Sequence, residues 1–218
     1  MEQRRAEAPP CLRVPKIQGT NRDCPNGDPA KVDWTQAAAA GQWRKVTGYA
    51  TDRKPVVRLI HDAKYLYIQL EEHCDTAKLT VGSSVWNGDD WEIFLSAQRD
   101  QLPYRQIAVG PDGTKIMYIW REVAKGESTW KDEVKVISDK ANGRWTVSLA
   151  VPLDKVLSGN LKSETKLFAN FYRGTPGPAE RDSLENLAFF DSNDYLAWSP
   201  TFEDNFHVPA RFGELTLE

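Results

Sequence analysis

The stretch Arg144-Trp145-Thr146-Val147-Ser148-Leu149-Ala150-Val151 places Trp145, Val147, Leu149 and Val151 on one face and Thr146 and Ser148 on the other. A two-residue period of this kind marks a β-strand with one face in an apolar core. Asn142-Gly143 stands just ahead of it, the residue pair that best tolerates the positive φ angles of a two-residue hairpin turn. Glu133 to Ser138 then supplies the partner strand.

Working outward, the same signal recurs along the chain. In KYLYIQLEE, Leu66, Ile68 and Leu70 alternate with Tyr65, Tyr67, Gln69 and Glu71. Val56 to Ile60 precedes this strand across the polar turn His61-Asp62-Ala63-Lys64, which predicts an antiparallel hairpin. Trp91, Ile93 and Leu95 alternate with Glu92 and Phe94 behind the turn-forming WNGDD. RQIAVG and KIMYIW flank Gly110-Pro111-Asp112-Gly113, a second hairpin connection. A short helical turn is expected around Leu153 to Leu157, then strands in KLFANFYR and RFGELTLE. The best helix candidate is Asp33 to Gln42, an alanine run with Asp33 as N-cap. Strands at regular spacing joined by Gly, Pro, Asp and Asn turns predict an all-β fold. The expected architecture is a two-sheet antiparallel β-sandwich, jelly-roll-like, with at most short helical turns.

Composition bounds the function. The 218 residues carry 28 Lys plus Arg against 31 Asp plus Glu, a formal charge of −3, so no basic excess points to nucleic acid or an anionic membrane surface. Apolar runs such as Leu149 to Leu153 are strand-length, far short of the ~20 residues that span a bilayer. MEQRRAEAPP has no apolar segment behind its charges and reads as a flexible lead-in over residues 1–12, ahead of one domain over 13–218. Cys11, Cys24 and Cys74 are too few and too dispersed for a zinc cluster. The spacing allows one Cys24–Cys74 bridge, which requires an oxidising compartment.

Catalytic signatures are missing. His61, His73 and His207 lack metal-site spacing, and there is no HExxH, GxSxG or phosphate-cradling glycine motif. Neighbours on a strand point to opposite faces, so Asp89/Asp90 and Glu71/Glu72 do not read as a glycosidase acid and nucleophile. Asp89/Asp90 reads instead as a turn that ends the ladder, or as a calcium site. The positive signal is aromatic: eight Trp, seven Tyr and eight Phe, with Trp86, Trp130, Trp198 and Phe206 in or beside polar segments. A pyranose packs its C–H face on such rings while carboxylates, amides and Arg bond its hydroxyls. By alternation Trp91 and Trp145 belong to the core.

An ordered set of segments resembles carbohydrate-binding module family 9 and its family-9-like relatives. It comprises VRLIHDAKYLYIQLEE, WNGDDWEIFL, YRQIAVGPDG, RWTVSLAVPL, KLFANFYR and NFHVPARFGELTLE, together covering roughly Ile17 to Glu218. The resemblance implies a non-catalytic β-sandwich in which two aromatic rings sandwich the terminal sugar of a β-glucan or xylan chain. Trp86 matches the ring in the acidic turn, Glu92 the acid in the next strand, and Phe206 the second ring. The family's sugar-gripping Arg falls on Ala108, two residues beyond Gln106, and a ligand Gln falls on Tyr172. Trp86, Glu92, Tyr172 and Phe206 are therefore the expected carbohydrate-binding residues, with Arg105 or Arg173 as replacements for the lost cation.

The resemblance further implies structural calcium, with Asp23, Asp28, Asp33, Asp89 and Asp90 as donors; an extracellular or periplasmic setting; and a partner or attached glycan-degrading enzyme. Two other functions stay open. One is a docking domain without a retained sugar site. The other is a haem b electron-transfer sandwich, with Met117 or His73 as axial ligand.

Overall fold

The computed structural model describes residues 7–18, 25–122, 125–127, 134–157, 161–176, 195–203 and 205–218. Two sheets are stacked. The smaller runs β10 (Lys135–Ala141), β11 (Arg144–Pro152), β5 (Tyr65–His73), β4 (Val56–His61) and β2 (Ala38–Ala40). The larger runs β1 (Cys11–Val14), β14 (Gly213–Leu217), β12 (Thr165–Gly174), β6 (Asp90–Ser96), β7 (Tyr104–Val109), β8 (Lys115–Glu122) and β9 (Lys125–Glu127). The short strand β13 (Leu196–Ala197) attaches to β12, and β3 (Arg44–Lys45) attaches to β13. Neighbouring strands are antiparallel except β1, which lies parallel to β14. The described residues form strands and single 3₁₀ turns, so the expected β-sandwich is the fold observed.

The three hairpins form where turn chemistry places them. Asn142 and Gly143 adopt φ of 56° and 67° between β10 and β11, and Gly113 takes φ 83° between β7 and β8. Between β4 and β5, Asp62 Oδ1 accepts from the backbone N–H groups of Lys64 and Tyr65. The alanine run departs from expectation. Asp33 caps a single turn, Trp34–Gln36, and Ala38–Ala40 then pairs with β4 as an edge strand. One turn of helix satisfies few backbone groups, whereas an open sheet edge supplies partners for the alanine backbone.

Between the sheets, Trp145, Val147, Leu149 and Val151 meet Trp91, Ile93, Leu95 and Phe171, all fully buried. Trp91 contacts both Trp145 (ring centroids 5.7 Å) and Trp43 (5.9 Å). Both sheets are also covered outside. Ile60, Tyr67 and Ala150 pack beneath Val32 and Trp34, so Tyr67, expected on a polar face, is buried and its hydroxyl donates to Asp62. Phe94, Tyr104 and Tyr172 pack beneath Tyr195, Phe206 and Phe212. Asn170 staples that second cover down: its Nδ2 donates to Ser199 O (2.7 Å) and its Oδ1 accepts from Ser199 N–H (3.0 Å).

Cys11 and Cys74 carry no disulfide; Cys24, and with it the expected bridge, lies outside the described residues. Asp23 and Trp130 also lie outside them.

Candidate functional site

The site is built on the outer face of the large sheet, where pairing register lines side chains up in rows. Tyr172, Glu92, Ala108 and Ile116 form one row across β12, β6, β7 and β8; Asn170, Phe94, Gln106 and Tyr118 form the next; Phe168, Ser96, Tyr104 and Trp120 the third.

Trp86 reaches this face from the turn Val85–Asn87. Asp89 clamps the turn: its Oδ2 accepts from Thr80 N–H (2.8 Å) while its own N–H donates to Thr80 O (2.9 Å). The backbone is drawn so tight that a Cβ on Gly88 would lie 2.6 Å from Thr80 O and 2.8 Å from Gly82 N, a close approach only glycine permits. Trp86 stays half-buried and stacks on Tyr118, ring centroids 6.4 Å apart and planes 19° from parallel.

Glu92 lies in the middle of the face with only 1% exposure. Its Oε2 accepts from Gln106 Nε2 (2.6 Å), and Gln106 Oε1 accepts from the Trp120 indole N–H (2.8 Å), a chain that fixes the amide's orientation. Among the described residues its Oε1 has no hydrogen-bond partner, and neither does Oδ2 of Asp90, two residues away on the same face. Burial, then the charge of Asp90, pushes the Glu92 carboxyl well above its usual range against the opposing Gln106 bond. Burial pushes Asp90 up to about 7, although Arg173 and the Gly174 N–H pull it down.

That elevation fixes a pH dependence. Below the ordinary Asp value of 3.8 the carboxyl is protonated in folded and unfolded chains alike; between there and about 7 only the unfolded chain has released its proton. Stability contributed by the neutral carboxyl is therefore lost as pH rises through about 7. Asp90→Asn keeps an oxygen for the Gly174 N–H and cannot titrate. We expect urea unfolding of the wild type to weaken between pH 5 and 8 relative to this variant, by on the order of 1–3 kcal/mol. Parallel profiles would show that Asp90 ionises normally.

The structure brings three of the four expected residues together and sets the fourth apart. Tyr172 pairs with Glu92 in register, its hydroxyl donates to Phe206 O (3.1 Å), and its ring lies 5.0 Å from that of Phe206. Phe206 also packs 4.6 Å from Tyr195. All three are buried, at 1%, 0% and 6% exposure for Glu92, Tyr172 and Phe206, whereas Trp86 stands over β8. Neither replacement cation reaches the face. Arg105 sits in register between Leu95 and Ile119, on the sheet's other side. Arg173 lies between the sheets, bonded to Glu72 and Asp89.

Sequence reading passed over Tyr118 and Trp120. Their signal was the alternation of Ile116, Tyr118 and Trp120 in KIMYIW, which puts them on one face.

Of the aspartates expected to bind calcium, Asp23 lies outside the described residues. Asp28 and Asp33 cap 3₁₀ turns, Asp89 is bonded to Arg173, and among the described residues no three His, Cys, Asp or Glu side chains gather into a metal site. Met117 is a core residue and His73 is exposed at the end of β5 in the other sheet.

Fold and face together define a β-sandwich that displays half-buried aromatic rings on one sheet. The carbohydrate family 9 binding domain-like model matches residues 27–218, and the chain belongs to that family. No curated protein matches the sequence. Among solved structures, a Bacteroides uniformis protein shares 18% identity at a TM-score of 0.68, covering 97% of this chain and 100% of its own. A family 9 carbohydrate-binding module from Caldicellulosiruptor kristjanssonii, in complex with cellotriose, shares 14% identity at 0.64, covering 95% and 93%. A second such structure from that organism, in complex with glucose, gives 14% at 0.60, covering 95% of each chain. At these identities the likeness is one of fold.

Proposed function

We propose that this chain is a non-catalytic carbohydrate-binding domain in which Trp86 is the ring that meets the sugar. The observation that carries this reading is the half-buried Trp86–Tyr118 stack on the outer sheet face, beside the Gln106–Glu92 hydrogen-bond chain, in a member of a carbohydrate-binding family. A sugar C–H face laid on the indole buries apolar area, and polar groups at the rim orient its hydroxyls. Glu92, buried in the same sheet face, orients Gln106 beside the ring, while Tyr172 and Phe206 pack together away from it. So small a contact gives micromolar to millimolar binding, roughly −8 to −4 kcal/mol.

Family membership also supports an extracellular or periplasmic setting, in which the domain brings an attached or partner glycan-degrading enzyme to its polysaccharide. Among the described residues no helix is long and apolar enough to cross a membrane.

A glycan array followed by calorimetry with the best hit tests the proposal: saturable binding without release of shortened products is the expected result. The burial of Glu92, Tyr172 and Phe206 favours one second reading, a docking domain without a sugar site, and silence across the array would establish that reading instead.

A further inference from the structure

We propose that Asn142, in the turn between β10 and β11, is a site of covalent modification: its side-chain amide is lost spontaneously through a cyclic imide with the Gly143 nitrogen, leaving aspartate or isoaspartate. Water is the co-reactant.

The chemistry belongs to the Asn-Gly pair. With no Cβ on the second residue, the glycine nitrogen has an unobstructed approach to the asparagine Cγ. That nitrogen gives up its proton and bonds to Cγ; the Cγ–Nδ2 bond breaks and ammonia leaves. Water then opens the imide ring at either carbonyl. Opening at one carbonyl gives aspartate, and opening at the other gives isoaspartate, whose main chain runs through the side-chain methylene. The sequence holds three such pairs, Asn26-Gly27, Asn87-Gly88 and Asn142-Gly143. All three asparagines are exposed, so access to the amide does not separate them.

The glycine nitrogens do. Gly27 is buried, and its N–H donates to the Tyr67 hydroxyl (2.8 Å), which is itself bonded to Asp62. A Cβ on Gly27 would lie 2.7 Å from Tyr65 Cζ, so that ring covers the residue. Gly88 is buried too. Its N–H donates to Val85 O (3.3 Å), and Asn87 Nδ2, the leaving group, donates to Ser83 Oγ (3.2 Å). Each of these nitrogens must abandon a hydrogen bond before it can lose its proton, and must turn within packed surroundings. Gly143 is exposed, and among the described residues its N–H donates to no backbone or side-chain acceptor. A Cβ there would meet Cys74 O at 3.8 Å, an ordinary contact that leaves the approach open.

Ring closure also requires the peptide between Asn142 and Gly143 to rotate out of the tight turn, and the position of the turn keeps that motion local. It joins β11 to β10, an edge strand of the smaller sheet. From outside the hairpin, the Cys74 N–H donates to Gly143 O (2.9 Å) and restrains it. Hairpin ends at a sheet edge open at low free energy, whereas the Gly27 and Gly88 amides are tied into packed segments. Isoaspartate lengthens the main chain of a two-residue loop whose length sets the pairing of Ala141 with Arg144. Conversion therefore loosens β10.

The experiment incubates the whole chain at mildly alkaline pH, in buffer and in concentrated urea. Each sample is digested and mapped by mass spectrometry for the gain that marks an amide replaced by a carboxyl, and isoaspartyl methyltransferase labelling counts isoaspartate. In buffer, Asn142 should convert at least about tenfold faster than Asn26 or Asn87, because those two sites must open first. In urea the three rates should converge, since the dipeptide is the same and the fold is gone. Amide hydrogen exchange through Lys135–Ala141 should speed up in the converted protein. Conversion of Asn26 or Asn87 as fast as Asn142 in buffer would overturn the assignment. So would an Asn142 that stays intact in the folded protein, whether or not it reacts in urea.

Discussion

Trp86→Ala is expected to weaken glycan binding about tenfold to sixtyfold while leaving the sandwich folded. Burying part of an indole against a sugar face contributes about 1–1.5 kcal/mol, and ring geometry adds about 0.5–1 kcal/mol. The sum corresponds to that range at 1.4 kcal/mol per tenfold. The structural cost is small, because Trp86 projects from a turn whose geometry comes from Asp89, Thr80 and Gly88 backbone and side-chain bonds and not from the ring. Losing the stack on Tyr118 removes about 0.5–1.5 kcal/mol of stability, a shift of roughly 5 °C at most in the melting midpoint. Calorimetry and a thermal melt on one preparation separate the two effects. Unchanged affinity in a folded variant would move the site away from Trp86.

Arg173→Leu is expected to be strongly destabilising, because this cation is buried between the two sheets. The guanidinium is 2% exposed and donates to Glu72 Oε2 (2.9 Å) and Asp89 Oδ1 (2.6 Å). It also lies over the rings of Trp145 (4.6 Å) and Trp91 (5.5 Å). Glu72 belongs to the small sheet and Arg173 to the large one, so these bonds tie the sheets together through the aromatic centre of the core.

Removing only the cation leaves buried carboxylates without their counter-charge, typically a loss of about 3–5 kcal/mol. For a chain of this size that lowers the melting midpoint by roughly 10 °C. Arg53 still holds Glu72 through two bonds (2.6 and 2.7 Å), so the orphaned charge is chiefly Asp89. Adding Asp89→Asn should recover part of the loss, since the amide keeps an oxygen for Thr80 N–H and sheds the charge. Glycan binding should weaken in Arg173→Leu as well, because Asp89 is the clamp on the Trp86 turn. A single variant melting within about 2 °C of the wild type would show that the pairing adds nothing to folding.

Much of the fold was legible along the chain because a strand's two faces meet different surroundings. The alternation in β5, β6 and β11 assigned Leu66, Ile68, Leu70, Trp91, Ile93, Leu95 and the Trp145 row to the core, and each is fully buried. Asn142-Gly143 and Gly113 marked turns through a backbone conformation that few other residues accept. The alanine run is a helix candidate by intrinsic propensity alone, and the pairing partner that overrides it, Val57 to Leu59, lies elsewhere in the chain.

The site was less legible, for a related reason. Trp86 stood out as a ring in a polar turn. Whether Glu92, Tyr172 and Phe206 met solvent depended on where residues 195–212 return, and Asn170 draws that segment onto the sheet through its two bonds to Ser199. Tyr118 and Trp120 shared a face by simple alternation, but alternation does not say which outer face is covered and which is open.

The strands, their turns, the inward row of apolar side chains and the wealth of aromatic rings are all legible in the chain alone. Those are local properties, set by side-chain period and backbone preference. Which rings are sealed follows from long-range packing: Phe206 is buried in the segment that covers Tyr172, and Trp86, Tyr118 and Trp120 stay half-buried. Exposure is a property of contacts between distant segments, and a hydrogen bond across 29 residues, from Asn170 to Ser199, leaves no periodic trace in the chain that makes it.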